Sequence, residues 1–112
     1  MLASKYRFHR RNQVNRVYKQ GKSVRGGAIA LKYRLVQDSG DIRVAVVVSK
    51  KVHKSAVKRN RIRRRVFEVI RTNFDELKPG FEGVFTVFDE TAATMKHKEL
   101  KKLILSLLSK AK

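Results

Sequence analysis

Between Ser55 and Phe74 the apolar residues Ile62, Val66, Val69, Ile70 and Phe74 recur at spacings of three and four. That spacing places them on one stripe of a long helix and predicts that the stripe is buried. Further on, Leu100, Leu103, Ile104, Leu107 and Leu108 form a second ladder, which predicts a C-terminal helix beginning near Met95 and packing on a sheet. A shorter helix is expected near the start of the chain. Asn12 is its expected N-cap, Val14, Val17 and Tyr18 fall at helical spacing, and Gly21 is expected to take the left-handed conformation that ends it.

Between the helical patterns the periodicity changes. The segments AIALKYRLV (Ala28 to Val36) and IRVAVVVSK (Ile42 to Lys50) are rich in β-formers and flank the turn sequence QDSGD, so they read as an antiparallel hairpin. The continuous run AVVV suggests a strand covered on both faces. GKSVRGG, before the hairpin, reads as a loop. LKPG, with the only proline at Pro79, is a turn, and GVFTVF (Gly83 to Phe88) is a further strand. The order α-β-β-α-β-α predicts a two-layer α/β (α+β) sandwich with no repeats or low-complexity linker. At 112 residues the expectation is one domain spanning 1–112.

The polar side of the 55–74 helix changes the picture. Lys58, Arg61, Arg64 and Arg65 project away from the apolar stripe. Arg59 and Arg63 fall near the apolar arc, so they either snorkel along its edges or reach toward a neighbouring element. Like charges four residues apart oppose the helix by about 0.2–0.5 kcal/mol per pair, and no acid interrupts the run until Glu68. The whole chain follows suit, with 28 Lys and Arg against 9 Asp and Glu and a formal net charge of +19. The acids are concentrated in the last third, so the basic surface belongs to the first two thirds. Such a surface calls for a polyanion, and Arg suits phosphate because its planar fork donates two parallel charge-assisted hydrogen bonds.

Other classes fit less well. No apolar run is long enough to span a bilayer, the N-terminus has no apolar signal core, and a membrane-surface helix would want its apolar face free. Cysteine is absent, which excludes disulfides and thiolate metal sites and fits a reducing compartment, so a cytoplasmic location is expected. The 3 histidines, His9, His53 and His97, have no metal-ligand spacing. The carboxylate pairs Asp75/Glu76 and Asp89/Glu90 sit beside turns or helix starts, where a solvated or capping role is the simpler reading. No phosphate-binding glycine loop occurs. The chain is therefore expected to bind rather than to catalyse, with no metal site of its own. The aromatic residues Tyr6, Phe8, Tyr18 and Tyr33 lie among Arg7, Arg10, Arg11, Arg16 and Lys32, a mixture suited to stacking unpaired bases while cations hold the backbone. For Phe8 and Tyr18 a plain core role is the alternative.

VVSKK (Val47 to Lys51) followed by AVKRNRIRRR (Ala56 to Arg65) resembles the RNR signature of the bacterial ribonuclease P protein family, matching it at Arg59, Asn60 and Arg61. RVYKQGKSVRG (Arg16 to Gly26) and the last strand followed by a Leu- and Lys-rich helix extend the resemblance over nearly the whole chain. The resemblance implies a ribosomal S5 domain 2-like fold with a left-handed βαβ crossover, contrary to the usual right-handed rule. It also implies an endonuclease that removes the 5′ leader of precursor tRNA, with catalysis and Mg²⁺ on the RNA subunit and no DNA role. Lys50, Lys51, Lys58, Arg59, Asn60, Arg61, Arg63, Arg64 and Arg65 would face that RNA. A leader cleft between the first helix and the sheet would hold Arg7, Phe8, Arg10, Arg11, Val14, Val17, Tyr18, Lys32 and Tyr33. This sequence departs from the family at Lys32, where many members carry an aromatic, at Val14, where Phe is common, and in the turn VHKS, which lacks a common Gly. The rival reading is a purely structural RNA-binding protein of ribosomal or RNA-folding type.

Overall fold

The segment from Phe81 to Val87 pairs on both of its edges, and the architecture is arranged around it. The computed structural model describes residues 11–36 and 40–111. Arg7, Phe8 and Arg10 of the expected cleft lie outside the described residues, as does most of the turn QDSGD. The elements are α1 (Arg11–Gln20), β1 (Lys22–Gly26), β2 (Ile29–Leu35), β3 (Arg43–Val48), α2 (Ala56–Thr72), a 3₁₀ turn (Phe74–Glu76), β4 (Phe81–Val87), α3 (Thr91–Thr94) and α4 (His97–Lys110). The sheet is four-stranded with order β1-β2-β4-β3.

This order corrects the expected hairpin. β2 and β3 run in opposite directions but do not pair: β2 is antiparallel to β4, and β3 is parallel to it. β4 lies between them with five of its seven residues buried, the adjacent Gly83, Val84 and Phe85 among them. β3, by contrast, is an edge strand that buries Val44, Val46 and Val48 while Val47 is exposed, so its apolar run does not mark two-sided cover. The unit β3–α2–β4 is a crossover between parallel neighbours. The segment read as a loop contains β1, an edge strand in which only Val24 and Gly26 are half-buried. A mainly exposed edge strand carries little of the alternation by which strands are recognised.

One face of the sheet carries the main core. Ile29, Leu31 and Tyr33 of β2, the even-numbered valines of β3, and Phe81, Phe85 and Val87 of β4 meet Ile62, Val66, Phe67, Val69 and Ile70 of α2 and Leu100, Ile104 and Leu107 of α4. Each fully buried aliphatic side chain contributes about 1.5–3 kcal/mol, so the stripe of α2 outweighs repulsion of about 0.2–0.5 kcal/mol per like-charged pair on its other side. Among the described residues, the opposite face of the sheet is covered by α1, over β2 and β4. Val17, fully buried yet outside the main cluster, seats that helix.

Two helix ends differ from expectation. Asn12 lies inside α1 and is not its cap. Gly21 does not adopt positive φ, which among the described glycines belongs to Gly27 and Gly80. Its small size matters instead: a Cβ there would stand 2.4 Å from the Val17 carbonyl oxygen and 2.6 Å from that of Tyr33, so glycine lets α1 close onto β2.

Candidate nucleic-acid interface

Two cationic surfaces emerge, one on α2 and one on the sheet face beneath α1. α2 starts where the Ser55 hydroxyl accepts a hydrogen bond from the Lys58 N–H at 3.4 Å. Just before it, the Ser55 N–H donates to His53 Nδ1 at 3.0 Å. Arg59 turns back from the helix, and its Nη1 donates to the carbonyls of His53 and Lys54, each at 2.9 Å. It fastens the loop that carries the exposed Lys50 and Lys51. Arg63 stays on its own helix, donating to Asn60 Oδ1 at 2.5 Å. The signature residues are thereby divided: Arg59 is half-buried and braces the loop, while Asn60 and Arg61 are exposed.

Arg65 is a correction. It was expected to project away from the protein with Arg61 and Arg64, but it is half-buried and its guanidinium donates to the carbonyls of Ala92, at 2.6 Å, and Met95. The sequence carried no sign of α3, whose end supplies these acceptors. Up to Arg65 the exposed residues of α2 are therefore Ala56, Val57, Lys58, Asn60, Arg61 and Arg64. His53, Lys58 and Arg61 border a depression of about 390 Å³ against Glu90 and Thr91, with room for a phosphate group among its cations. Farther along, Arg71 donates to both Glu68 carboxylate oxygens, at 3.1 and 2.5 Å. The hydrogen bond from Arg71 holds the Glu68 carboxyl below its ordinary range and raises the Arg71 guanidinium in turn. This acid is thus matched by its own arginine.

The second surface follows from strand alternation. A Cβ on Gly26 would collide with Leu103 of α4, so Gly26 faces α4 and its neighbour Arg25 faces the other way. In β2, Ile29, Leu31 and Tyr33 point into the main core, which leaves Ala30, Lys32 and Arg34 on the α1 side. Lys32 pairs with Val84, and its ammonium lies 5.9 Å from the centroid of the half-exposed Tyr18 ring. Arg34 donates to Gln20 at the end of α1 and to Glu82 of β4, each at 2.6 Å, tying the helix to the floor beneath it. At the far end, Arg25 stands 4.7 Å over the ring of Phe88, which is half exposed.

Among the expected cleft residues, Tyr18 and Lys32 come together here. Val14 is half-buried on α1 and Arg11 opens that helix. Val17 is 0% exposed, which makes it a packing anchor and not a ligand contact. Tyr33 is turned into the core, its ring stacked on Phe81 with centroids 6.3 Å apart, because adjacent strand residues face opposite sides. Phe88 and Arg25 were missed. Their only sequence signal was an aromatic at the end of a strand, which reads equally well as core. The two surfaces adjoin, since Val48 pairs with Val87 and the Phe88 N–H donates to the Ala28 carbonyl at 2.8 Å. Lys50, Lys51 and the start of α2 therefore follow the same end of the sheet that presents Phe88. Among the described residues, no group of three or more His, Asp and Glu side chains gathers as a metal site. No helix among them is long and apolar enough to cross a membrane.

Comparison with known proteins bears on these surfaces. A family profile described as Ribonuclease P matches residues 2–112. The ribonuclease P protein component of Pseudanabaena sp. (strain PCC 6903) is 36% identical over 112 residues, covering 100% of this chain and 96% of that one. The ribonuclease P protein component of Clostridioides difficile (strain 630) is 44% identical over 75 residues, covering 66% of this chain and 64% of its own. In fold, the chain is similar to the RNase P protein from Thermotoga maritima, with a TM-score of 0.82 at 23% identity over 95% of this chain and 97% of that one. It is also similar to the Staphylococcus aureus RNase P protein, with a TM-score of 0.81 at 23% identity over 96% and 95% of the two chains.

Proposed function

The chain belongs to the ribonuclease P protein family, and from that premise we propose how its two surfaces divide the work of the holoenzyme. It is an RNA-binding subunit of ribonuclease P, part of an endoribonuclease complex, and it functions with the ribonuclease P RNA. In the proposed division the RNA subunit holds the catalytic groups and Mg²⁺ and hydrolyses the phosphodiester that joins the 5′ leader to tRNA. The protein, acting as one RNA-binding domain in the cytoplasm with no membrane or DNA role, lowers the Mg²⁺ requirement by neutralising RNA phosphates.

Lys50, Lys51, Lys58, Asn60, Arg61 and Arg64 contact the RNA subunit, while Arg59 and Arg63 hold the loop and the helix surface in shape. The leader lies on the sheet face beside α1, where Tyr18 stacks a base, Lys32 holds the backbone, and Val14 borders the track. The observation that carries this reading is the outward face of α2, where Lys58, Arg61 and Arg64 are exposed and no acid precedes Glu68 on the helix, while Arg59, Arg63 and Arg65 are engaged within the protein. The test is cleavage of a 5′-extended precursor tRNA at low Mg²⁺ by a ribonuclease P RNA, with and without the protein. Stimulation that the protein cannot produce alone supports the reading. Tight RNA binding without stimulation would favour a purely structural RNA-binding role.

A further inference from the structure

We infer that Phe88, held from one side by Arg25, is a second base-stacking station for the unpaired precursor leader, beyond the one formed by Tyr18 and Lys32. The inference rests on the proposed path of the leader along the α1 side of the sheet. Phe88 is 50% exposed, the most exposed large aromatic ring among the described residues. A phenylalanine so placed has no polar handle to gain from water, and half of its surface is left open. The Arg25 guanidinium at 4.7 Å from its centroid orients the ring, supplies a fork for a backbone phosphate, and strengthens a stack on the ring's free side.

Register places this pair on the leader floor. Arg25 pairs with Ala30, and Ala30 with Thr86, so small side chains separate the Phe88 station from Lys32. Phe88 is level with Ala28 through its backbone hydrogen bond, four residues along β2 from Lys32, or roughly 13 Å at the strand rise. That distance spans more than one nucleotide of an extended strand. Two aromatic rings, each paired with a cation and joined by a floor of small residues, match an unpaired polyanion whose bases stack in succession. A double helix would offer neither free base faces nor a backbone narrow enough to lie between α1 and the sheet edge.

The experiment measures affinity of the reconstituted holoenzyme for precursor tRNAs carrying a long leader or a single-nucleotide leader, using wild type, Phe88→Ala, Phe88→Trp and Tyr18→Ala, with thermal unfolding of each variant alongside. The expected result is that Phe88→Ala weakens long-leader binding about 5-fold or more, leaves the single-nucleotide leader unaffected, and is rescued by Phe88→Trp. If Tyr18→Ala shows the leader-dependent loss and Phe88→Ala does not, the Phe88 station is wrong while the leader path stands. If neither variant shows it, the leader path itself is wrong and the station falls with it. Equal loss for both substrates with a lowered melting temperature would make the Arg25–Phe88 pair a structural clasp and overturn the inference.

Discussion

The Lys32 ammonium stands 5.9 Å from the centroid of the Tyr18 ring, joining the centre of the sheet to the exposed side of α1. If this pair stacks a leader base, Tyr18→Ala weakens holoenzyme binding of precursor tRNA by about 1–3 kcal/mol and leaves mature tRNA binding unchanged. Parallel titrations with the two RNAs decide the matter, and equal losses would assign the ring to packing.

Arg61 and Arg65 are close in sequence but differ in employment. Arg61→Ala is expected to reduce the magnitude of the slope of log affinity against log salt, for binding to the RNA subunit, by about 0.7–0.9. Arg65→Ala should leave that slope intact and lower protein stability by about 1.5–3 kcal/mol, because it removes the charged donor from the carbonyls of Ala92 and Met95. Salt-dependent binding isotherms together with urea unfolding separate the two. A reduced slope for Arg65→Ala would put its guanidinium back at the RNA.

Gly21→Ala drives a methyl group into the backbone at Val17 and Tyr33. Neither obstacle is a flexible side-chain tip, so α1 must lift from the sheet, at a cost of about 1–3 kcal/mol. Chemical denaturation should register the loss, and leader affinity should fall with it because Tyr18 rides on α1. Stability equal to wild type would show that the helix can shift without strain.

Glu68 offers a pH-dependent prediction. Its carboxyl is lowered by the Arg71 hydrogen bond, so the pair's contribution is present above the ordinary glutamate range and is lost as pH falls through the depressed value. Both groups are well exposed, so the effect on stability is small. A carboxyl-carbon NMR titration should move the Glu68 midpoint upward in Arg71→Gln; an unmoved midpoint would mean the pair does not persist in solution.

The main elements were legible because their signals are local. The stripe of Ile62, Val66, Val69 and Ile70 and the ladder of α4 report one-sided burial directly. What was hidden depended on partners distant in sequence. Nothing near QDSGD says that β4 will separate β2 from β3, and Arg65 looks like any outward arginine until α3 brings two carbonyls within reach. Lys32 and Tyr33 illustrate the limit most sharply: both were placed in the cleft, yet alternation in β2 gives one to the face beneath α1 and the other to the core. Phe88 escaped notice for the converse reason, since an aromatic ending a strand is ordinarily assumed to be buried.

Among the strands, β4 is synthesised last, yet it belongs between two made earlier. While the chain leaves the ribosome, β1 and β2 can pair, but β3 has no partner until Phe81–Val87 arrives. α1 has only half its floor until then, because Val84 is part of β4. A chain that stops before β4 would carry nearly all of the positive charge of the first two thirds without the completed sheet face that Val84 and Lys32 share beneath α1, so attraction to polyanions comes before the surface that could sort them.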